Sequence, residues 1–152
     1  MAYRISGLDP ADFSDADALL AAGAIRVTAD SKPGYPCRVT LEDVEPGESL
    51  LLLNHVSHDV ATPFRSAYAI YVRAGAAAAP EYIDSTPALL EHRTLGLRGF
   101  DADGMLRRAS VAGPGEADGA IRRLFDHDEI AYIHIHNAGA GCFLARAERF
   151  DA

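Results

Sequence analysis

The sequence predicts an α+β fold: a single domain over residues 1–152, with an antiparallel-rich β-sheet, in one version curled into a partial barrel, and a few short helices. Three observations lead to this prediction. The chain of 152 residues is 49% hydrophobic and 24% charged, which is typical of a globular domain with its own core. Many short strand-like runs are separated by hairpin-sized links. Few segments have the apolar spacing of a helix.

The chain begins with a short helix and a half-buried strand. In the stretch DPADFSDADALLAAGA, Asp and Ser residues suit the start of a helix, and Gly23 suits its end. Ile25 and Val27 then alternate with polar residues, which indicates a strand with one buried face. The prolines and the glycine of DSKPGYP mark a loop.

The centre of the chain is predicted to be mostly strand. Pro46-Gly47 suits a type II turn, and the apolar run SLLLLN follows it. Such a run predicts a central strand that is covered on both faces. YAIYVR predicts a second strand. His55 and His58 follow the apolar run in a loop-like stretch, so we expect them on the surface.

The second half contains two predicted helices and two predicted hairpins. TPALLEHR predicts a short helix, and the apolar spacing of EADGAIRRLF predicts an amphipathic one. Asp103-Gly104 suits a tight turn between TLGLRGF and MLRRASV. The last two strands, AYIHIH and CFLARAER, flank a glycine-rich turn.

The register of that final hairpin decides what its histidines contact. Side chains alternate between faces along a strand, so Tyr132, His134 and His136 share one face, which we call the histidine face. Pairing Asn137 with Cys142 through a shorter turn would mix polar and apolar side chains on both faces. Pairing His136 with Cys142 through a longer turn separates them cleanly. We therefore predict this second register, because a slip of one residue inverts every side chain.

The predicted register has a chemical consequence. It brings the Cys142 sulfur within reach of His136, and it sets Tyr132 opposite Arg146. The histidine face is then either the wall of a pocket or the second packed side of the sheet. The predicted members of the two faces are Tyr132, His134, His136, Cys142, Leu144, Arg146 and Glu148 on the histidine face, and Ile133, Ile135, Phe143, Ala145 and Ala147 on the apolar face.

Four stretches of the chain resemble one protein family. They are PGYPCRVTLEDVEPGESLLLLN, TPFRSAYAIYVR, LRGFDADG and AYIHIHNAGAGCFLARAER, and they cover most of the chain from Gly34 onward. They are similar to small bacterial proteins grouped as domain of unknown function 1203. Members often carry a histidine where this chain has Tyr68. The resemblance names no activity and no cofactor. It implies a family pattern at Cys37-Arg38, His134, His136, Asn137 and Gly141-Cys142.

Charge and hydropathy exclude several classes of partner. The formal net charge is −8, and the 14 basic residues are scattered, so no basic face is expected to bind nucleic acid. The longest uncharged apolar run, Leu50–Leu53, is far too short to span a membrane. The N-terminus lacks the basic and apolar segments of a signal peptide. We therefore expect a cytoplasmic protein in which Cys37 and Cys142 are reduced.

A metal site is one functional hypothesis for the final hairpin. Histidines at i and i+2 of a strand point the same way, so His134 and His136 can hold a divalent cation such as zinc. The candidates for a third ligand are Cys142, Cys37, His55 and His58.

Thiol chemistry is a second hypothesis. Cys142 would be the nucleophile, His136 its base, and Asn137 a neighbouring polar group. Gly139 and Gly141 can expose backbone N–H groups to a developing oxyanion. A hydrolase that is metal-assisted or thiol-dependent is therefore the enzymatic alternative.

Binding of a small, anionic ligand is the hypothesis that we favour. Arg38, Arg65 and Arg146 lie beside or within the family-like stretches, and guanidinium groups donate forked hydrogen bonds to carboxylates and phosphates. The expected partner is a small molecule, and a homodimer is left open. A structural or interaction module is the alternative if a helix covers the histidine face. The expected ligand-binding residues are His134, His136, Asn137, Arg38, Tyr132 and Arg146.

Overall fold

Two β-sheets and three short α-helices form the computed structural model, which describes residues 1–151. All the predicted helices are present. None of the helices in these residues is long and apolar enough to cross a membrane. The helices are α1 (Ala16–Ala21), α2 (Ala88–Glu91) and α3 (Ala117–Phe125), and a 3-10 turn at Pro10–Phe13 precedes α1.

The first sheet contains six strands, all of them antiparallel to their neighbours. The strands are β1 (Ala2–Ser6), β7 (Tyr82–Ile83), β8 (Leu95–Phe100), β9 (Leu106–Ala112), β10 (Tyr132–Asn137) and β11 (Phe143–Phe150). Their order across the sheet is β7-β1-β11-β10-β8-β9. The final hairpin therefore lies in the centre of the sheet, and β9 lies at one edge.

The second sheet contains five strands. They are β2 (Ile25–Thr28), β3 (Pro36–Cys37), β4 (Glu42–Asp43), β5 (Ser49–His58) and β6 (Ser66–Arg73). Their order is β2-β5-β6-β3-β4, and only β3 and β6 run parallel. The α+β, antiparallel-rich fold is therefore confirmed. The strands form two open sheets rather than one sheet curled into a barrel.

The predicted turns and the apolar strand are confirmed, with one correction. Gly47 and Gly104 have φ values of +92° and +87°, as their turns require. The apolar strand β5 is central in its sheet, but it continues to His58 instead of ending before His55. His58 pairs with Ser66 of β6 after a β-bulge. Pairing with a long neighbouring strand therefore outweighs the polar, loop-like local sequence.

One face of the first sheet packs against α3. The helix is amphipathic and turns Ile121, Leu124 and Phe125 toward the sheet, where they are buried. Ile133 and Ile135 of β10 lie in the same apolar cluster and are fully buried. Each such side chain stabilises the fold by about 1.5–3 kcal/mol relative to its exposed state. This layer is the larger of the two cores.

The second sheet has its own core and also covers the other face of the first sheet. Leu51, Leu53, Ile70 and Val72 pack together on one side of the second sheet. Three hydrogen bonds then connect this sheet to the first, in the pairs His58–Tyr132, Tyr68–Arg98 and Arg38–Phe143. The histidine face is therefore covered by strands and loops of the second sheet, and not by a helix.

The predicted register of the final hairpin is wrong at the turn. The N–H of Asn137 donates to the carbonyl of Cys142 at 2.9 Å, so the shorter turn forms. A β-bulge follows, and His136 pairs with Phe143 instead of Cys142. A bulge inserts one unpaired residue and so exchanges the faces on its two sides. Strict alternation, on which the prediction depended, cannot reveal it.

The bulge exchanges two side chains between the faces. The ring of Phe143 lies on the histidine face, with its centroid 5.0 Å from that of His134. Leu144 joins the apolar cluster beside Ile133. Both residues were predicted on the opposite faces.

Candidate functional site

Three side chains form a line across the first sheet on the histidine face. The register places Arg98 of β8 and Arg146 of β11 opposite His134 of β10, one on each side. Directly opposed residues have Cβ atoms about 4.5–5.5 Å apart. His134 therefore lies between two arginines. Tyr132, which was predicted opposite Arg146, pairs instead with Glu148.

His134 is a neutral, buried imidazole. It is 1% exposed, and its Nε2 has no hydrogen-bond partner within residues 1–151. Burial and the nearby charge of Arg146 lower the pKa of His134 to about 3. The ring is therefore uncharged at neutral pH. A buried polar atom without a partner costs about 1–3 kcal/mol.

Aromatic rings surround this imidazole. His58 and Phe143 meet it edge-on, with centroid distances of 4.9 and 5.0 Å. Phe100 and Tyr132 each lie 5.5 Å away. The site is therefore an aromatic environment with arginines at its sides.

His58 covers the histidine face from the second sheet. It is 3% exposed, so its predicted surface position is wrong. Its Nδ1 lies 2.9 Å from the carbonyl of Phe64, and its Nε2 lies 2.5 Å from the hydroxyl of Tyr132. Because a carbonyl only accepts, the proton is on Nδ1, and the Tyr132 hydroxyl donates to Nε2. This pair holds the two sheets together next to His134.

His136 lies next to a second connection between the sheets. Its Nδ1 donates to the carbonyl of Gly141 at 2.9 Å. Burial lowers the pKa of His136 to about 4, although the bond to Gly141 opposes this shift. Tyr68 of β6 meets the imidazole edge-on at 5.0 Å, and its hydroxyl accepts a hydrogen bond of 2.7 Å from Arg98. Tyr68 thus belongs to the site.

Arg38 is buried beside the predicted nucleophile. It is 2% exposed and donates to the carbonyls of Phe143 and Pro36 at 2.8 and 2.7 Å. Its Nη2 lies 3.1 Å from the sulfur of Cys142. Burial lowers the pKa of Arg38, and the contact with Cys142 opposes this shift. In the described chain the Cys142 sulfur hydrogen-bonds to Arg38 and not to His136.

Arg146 forms the accessible rim of the histidine face, next to the buried Tyr132. The guanidinium of Arg146 lies over the Tyr132 ring at 4.0 Å, and its Nε donates to Glu148 at 2.7 Å. The Arg146 side chain is 40% exposed. Arg4 also reaches Glu148, at 3.1 Å. Solvent therefore reaches this end of the line, whereas His134 lies beneath.

Some predicted residues lie outside this group. Asn137 holds its own turn, where its side-chain oxygen accepts the N–H of Gly139 at 3.2 Å. Cys37 is buried in the core of the second sheet. Arg65 is exposed and pairs with Asp59 at 3.0 Å.

The site lacks a ready set of metal ligands. Within residues 1–151, no group of three or more His, Cys, Asp or Glu side chains is placed to hold a metal ion. The rings of His134 and His136 are 6.5 Å apart, centre to centre. A zinc site uses three or four protein ligands. Arg98 and Arg146, which flank His134, also repel a cation.

Arg98 was missed at the level of the sequence, and Tyr68 was named there only through the family resemblance. His58 was named as a candidate third metal ligand but was expected on the surface. Arg98 lies between apolar and glycine residues of a predicted strand, and this position was the one available signal. Its place beside His134 depends on which strand pairs with β10. His58 and Tyr68 come from the other sheet, so only the packing of the sheets reveals them.

The comparisons with known proteins agree with the sequence resemblance. No curated protein and no solved structure matches the chain. One family model, described as Protein of unknown function (DUF1203), matches residues 34–149. This range includes every residue of the line and its covering side chains. The chain therefore belongs to the DUF1203 family.

Proposed function

We propose that the protein binds a small organic anion on the histidine face, between Arg98 and Arg146 and above His134. One observation carries the proposal: His134 is 1% exposed, yet its Nε2 has no hydrogen-bond partner in the described part of the chain, and an arginine lies on each side of it. Buried polar atoms in folded proteins nearly always have partners. A ligand that contacts Nε2 would supply the missing one.

The positive charge around His134 supports the binding of an anionic ligand. Arg98 and Arg38 form no ion pair with a carboxylate in the part of the chain that the structure describes. Arg98 bonds instead to the hydroxyl of Tyr68. Arg38 is buried and Arg98 is half-buried, and an opposite charge stabilises a charged group that is removed from water. A carboxylate or phosphate on the ligand would provide the charge.

The aromatic rings around His134 favour the binding of an organic anion over that of an inorganic ion. Phe100, Phe143 and Tyr132 offer apolar surface within 5.5 Å of the imidazole, measured between ring centres. An aromatic or aliphatic body would pack against them, while its acid group contacts the arginines. The same arginines disfavour the metal-assisted alternative.

The ligand would approach from the Arg146 side. This side chain is 40% exposed, whereas His58 and Tyr132 close the centre of the face. Binding therefore requires the rings above His134 to move. We expect the hydrogen bond between His58 and Tyr132 to be the first contact affected.

Binding is tested with three defined anions: benzoate, acetate and inorganic phosphate. Isothermal titration should show the tightest binding for benzoate, because it has both an acid group and a ring. Arg98→Met and Arg146→Met should each weaken binding about tenfold or more, since a charge-assisted hydrogen bond contributes about 1.5–3 kcal/mol. Arg26→Met is the matched control, because Arg26 is exposed on β2 of the other sheet.

A second readout separates this site from other anion sites. Benzoate should shift the ¹⁵N resonance of the His134 ring, and His134→Phe should abolish that signal. The proposal fails if none of the three anions binds at millimolar concentration. It also fails if both arginine variants bind benzoate as the wild type does.

A thiol-dependent reaction at Cys142 is the second candidate, favoured by the contact of its sulfur with Arg38 at 3.1 Å. A neighbouring guanidinium stabilises a thiolate, which is the reactive form of cysteine. His136 was the predicted base, but its Nδ1 is bonded to Gly141. Arg38 is therefore the better candidate for activating the sulfur.

Alkylation by iodoacetamide at pH 7 tests this second candidate. In a Cys37→Ser background, Arg38→Met should slow the labelling of Cys142, because the neighbouring guanidinium no longer stabilises the reacting sulfur. Arg38→Lys, which keeps the charge, should retain most of the rate. Circular dichroism and urea midpoints show whether each variant is folded. Equal rates in all folded variants would remove the candidate.

Both cysteines are free thiols, and Cys142 is partly exposed. Free, accessible thiols are typical of a reducing compartment. The cytoplasm is therefore the setting in which we propose that this site operates.

A further inference from the structure

We infer that β9, the edge strand of the first sheet, is a docking site for an extended, acidic segment of another protein, which would add to the sheet as a further strand. The inference does not depend on the function proposed for the histidine face. β9 pairs with β8 on one side, and within residues 1–151 no strand pairs with its other side. A free strand edge exposes unpaired backbone N–H and C=O groups.

A groove runs along this free edge. A cavity of about 370 Å³ is lined by four consecutive residues of β9, 107–110, and by residues at the C-terminal end of α3. Side chains of consecutive residues point to opposite faces, so a cavity that contacts all four borders the edge of the strand itself. An extended chain placed there would contact the backbone of β9 and the side of α3.

The lining of the groove is basic. It contains Arg107, Arg108, Arg123 and His127, and no acidic side chain. Arg107 and Arg108 each bind one carboxylate through Nε. Ion pairs at the surface contribute little to the stability of the fold. Arg123 has no hydrogen-bonded carboxylate within residues 1–151. On a chain with a formal net charge of −8, this groove is a local site for negative charge.

Ser110 and Val111 of β9 lack the neighbours that an added strand would supply. Val111 is 72% exposed, on the face that lies over Gly96. Ser110 is on the α3 side of the strand, opposite Leu97, and its buried hydroxyl has no hydrogen-bond partner among residues 1–151. In strand addition, the backbone bonds provide affinity, and alternate side chains of the peptide provide specificity. One row of peptide side chains would enter the basic groove, and the other row would cover Val111.

A second copy of this chain is a poorer occupant. Pairing β9 with β9 would bring two copies of the same arginine-lined groove together, and like charges across a strand pair are destabilising. An acidic strand has the complementary charge. The occupant is therefore expected to come from another protein, with Glu or Asp at alternate positions.

The test uses an eight-residue peptide in which glutamate alternates with valine, N-methylated at alternate amides so that only one of its edges can pair. We expect saturable binding by fluorescence anisotropy, with an affinity that falls as salt is raised. The same peptide with lysine in place of glutamate should not bind. The same peptide N-methylated at every amide should also not bind, because neither of its edges can then pair and its charge is preserved.

Arg123→Glu and Arg26→Glu are the matched protein variants. Both side chains are exposed, and both changes alter the net charge equally, but Arg26 lies on β2 of the other sheet. Arg123→Glu should weaken binding at least tenfold, and Arg26→Glu should have little effect. The inference is overturned if both variants weaken binding equally, or if the two methylation patterns bind equally. It is also overturned if the peptide does not bind at millimolar concentration. A dimer that is seen in sedimentation experiments and is abolished by Val111→Lys would also overturn it, because the β9 edges of two copies would then cover each other.

Discussion

The two buried histidines should make the protein sensitive to mild acid. His134 and His136 have pKa values lowered to about 3 and about 4, mainly by burial. In the unfolded chain each would titrate at about 6.5. Below pH 6.5 the unfolded chain therefore binds protons that the folded chain does not, and stability falls with pH. The decline begins at about pH 6.5 and ends once the folded imidazoles also become protonated.

The magnitude is large compared with the stability of a typical domain. Each histidine contributes a slope of about 1.4 kcal/mol per pH unit, so lowering the pH from 6.5 to 5.0 costs about 2 kcal/mol for each. The two together cost about 4 kcal/mol, against a typical free energy of unfolding of about 5–15 kcal/mol. Carboxylates contribute little in this window, because they titrate mostly below pH 5. His55, whose pKa burial also lowers, adds to the slope.

Urea unfolding at several pH values between 5.0 and 7.5 measures this slope. His134→Phe should reduce it by about 1.4 kcal/mol per pH unit. At pH 7.5 we expect the variant to be at least as stable as the wild type, since Nε2 has no hydrogen-bond partner within residues 1–151 to lose, and phenylalanine suits the surrounding rings. His127→Ala removes an exposed histidine and controls for the loss of an imidazole. An unchanged slope in His134→Phe, or an NMR titration of His134 near pH 6.5, would refute the reasoning.

Three further predictions concern stability and are checked by chemical denaturation at pH 7.5. Gly7→Ala should destabilise the fold by about 3 kcal/mol or more, because its Cβ would lie 2.2 Å from the carbonyl oxygen of Val39. A variant as stable as the wild type would show that the backbone can shift there at little cost. Arg93→Met should cost about 3–5 kcal/mol, since it leaves the buried carboxylate of Asp43 without its bonds of 2.6 and 2.8 Å; a loss below 1 kcal/mol would indicate that His92 compensates. Ile121→Ala should cost about 2–5 kcal/mol through the cavity that it leaves under α3, and a smaller loss would mean that the helix can collapse onto the sheet.

Much of the fold could be predicted from local patterns. The amphipathic spacing of α3, the apolar run of β5 and the glycines at the turns each depend on residues close together in the chain. Their physical causes, which are helix periodicity, strand burial and positive φ, act over a few residues. The existence of two separate sheets was not predicted. Which strands pair is decided by contacts between residues far apart in the chain.

The candidate site also combines features that local sequence predicts with features that depend on contacts between distant residues. Alternation along β10 correctly placed His134 and His136 on one face, since alternation is a property of a single strand. It failed at Cys142, because a bulge in the partner strand inserts one residue and exchanges the faces. The predicted contact of Cys142 with His136 is therefore replaced by the contact with Arg38, a residue far away in the sequence.

The sequence by itself determined the family, the fold class and the strand that carries the two histidines. These properties follow from motifs and from periodicities over a few residues. The tertiary structure alone decided what those histidines contact. It placed Arg98 and Arg146 on each side of His134, and it brought His58 and Tyr68 over the face from the second sheet. Burial and charge at a site are sums over all neighbouring chain segments, so only the packed molecule defines them.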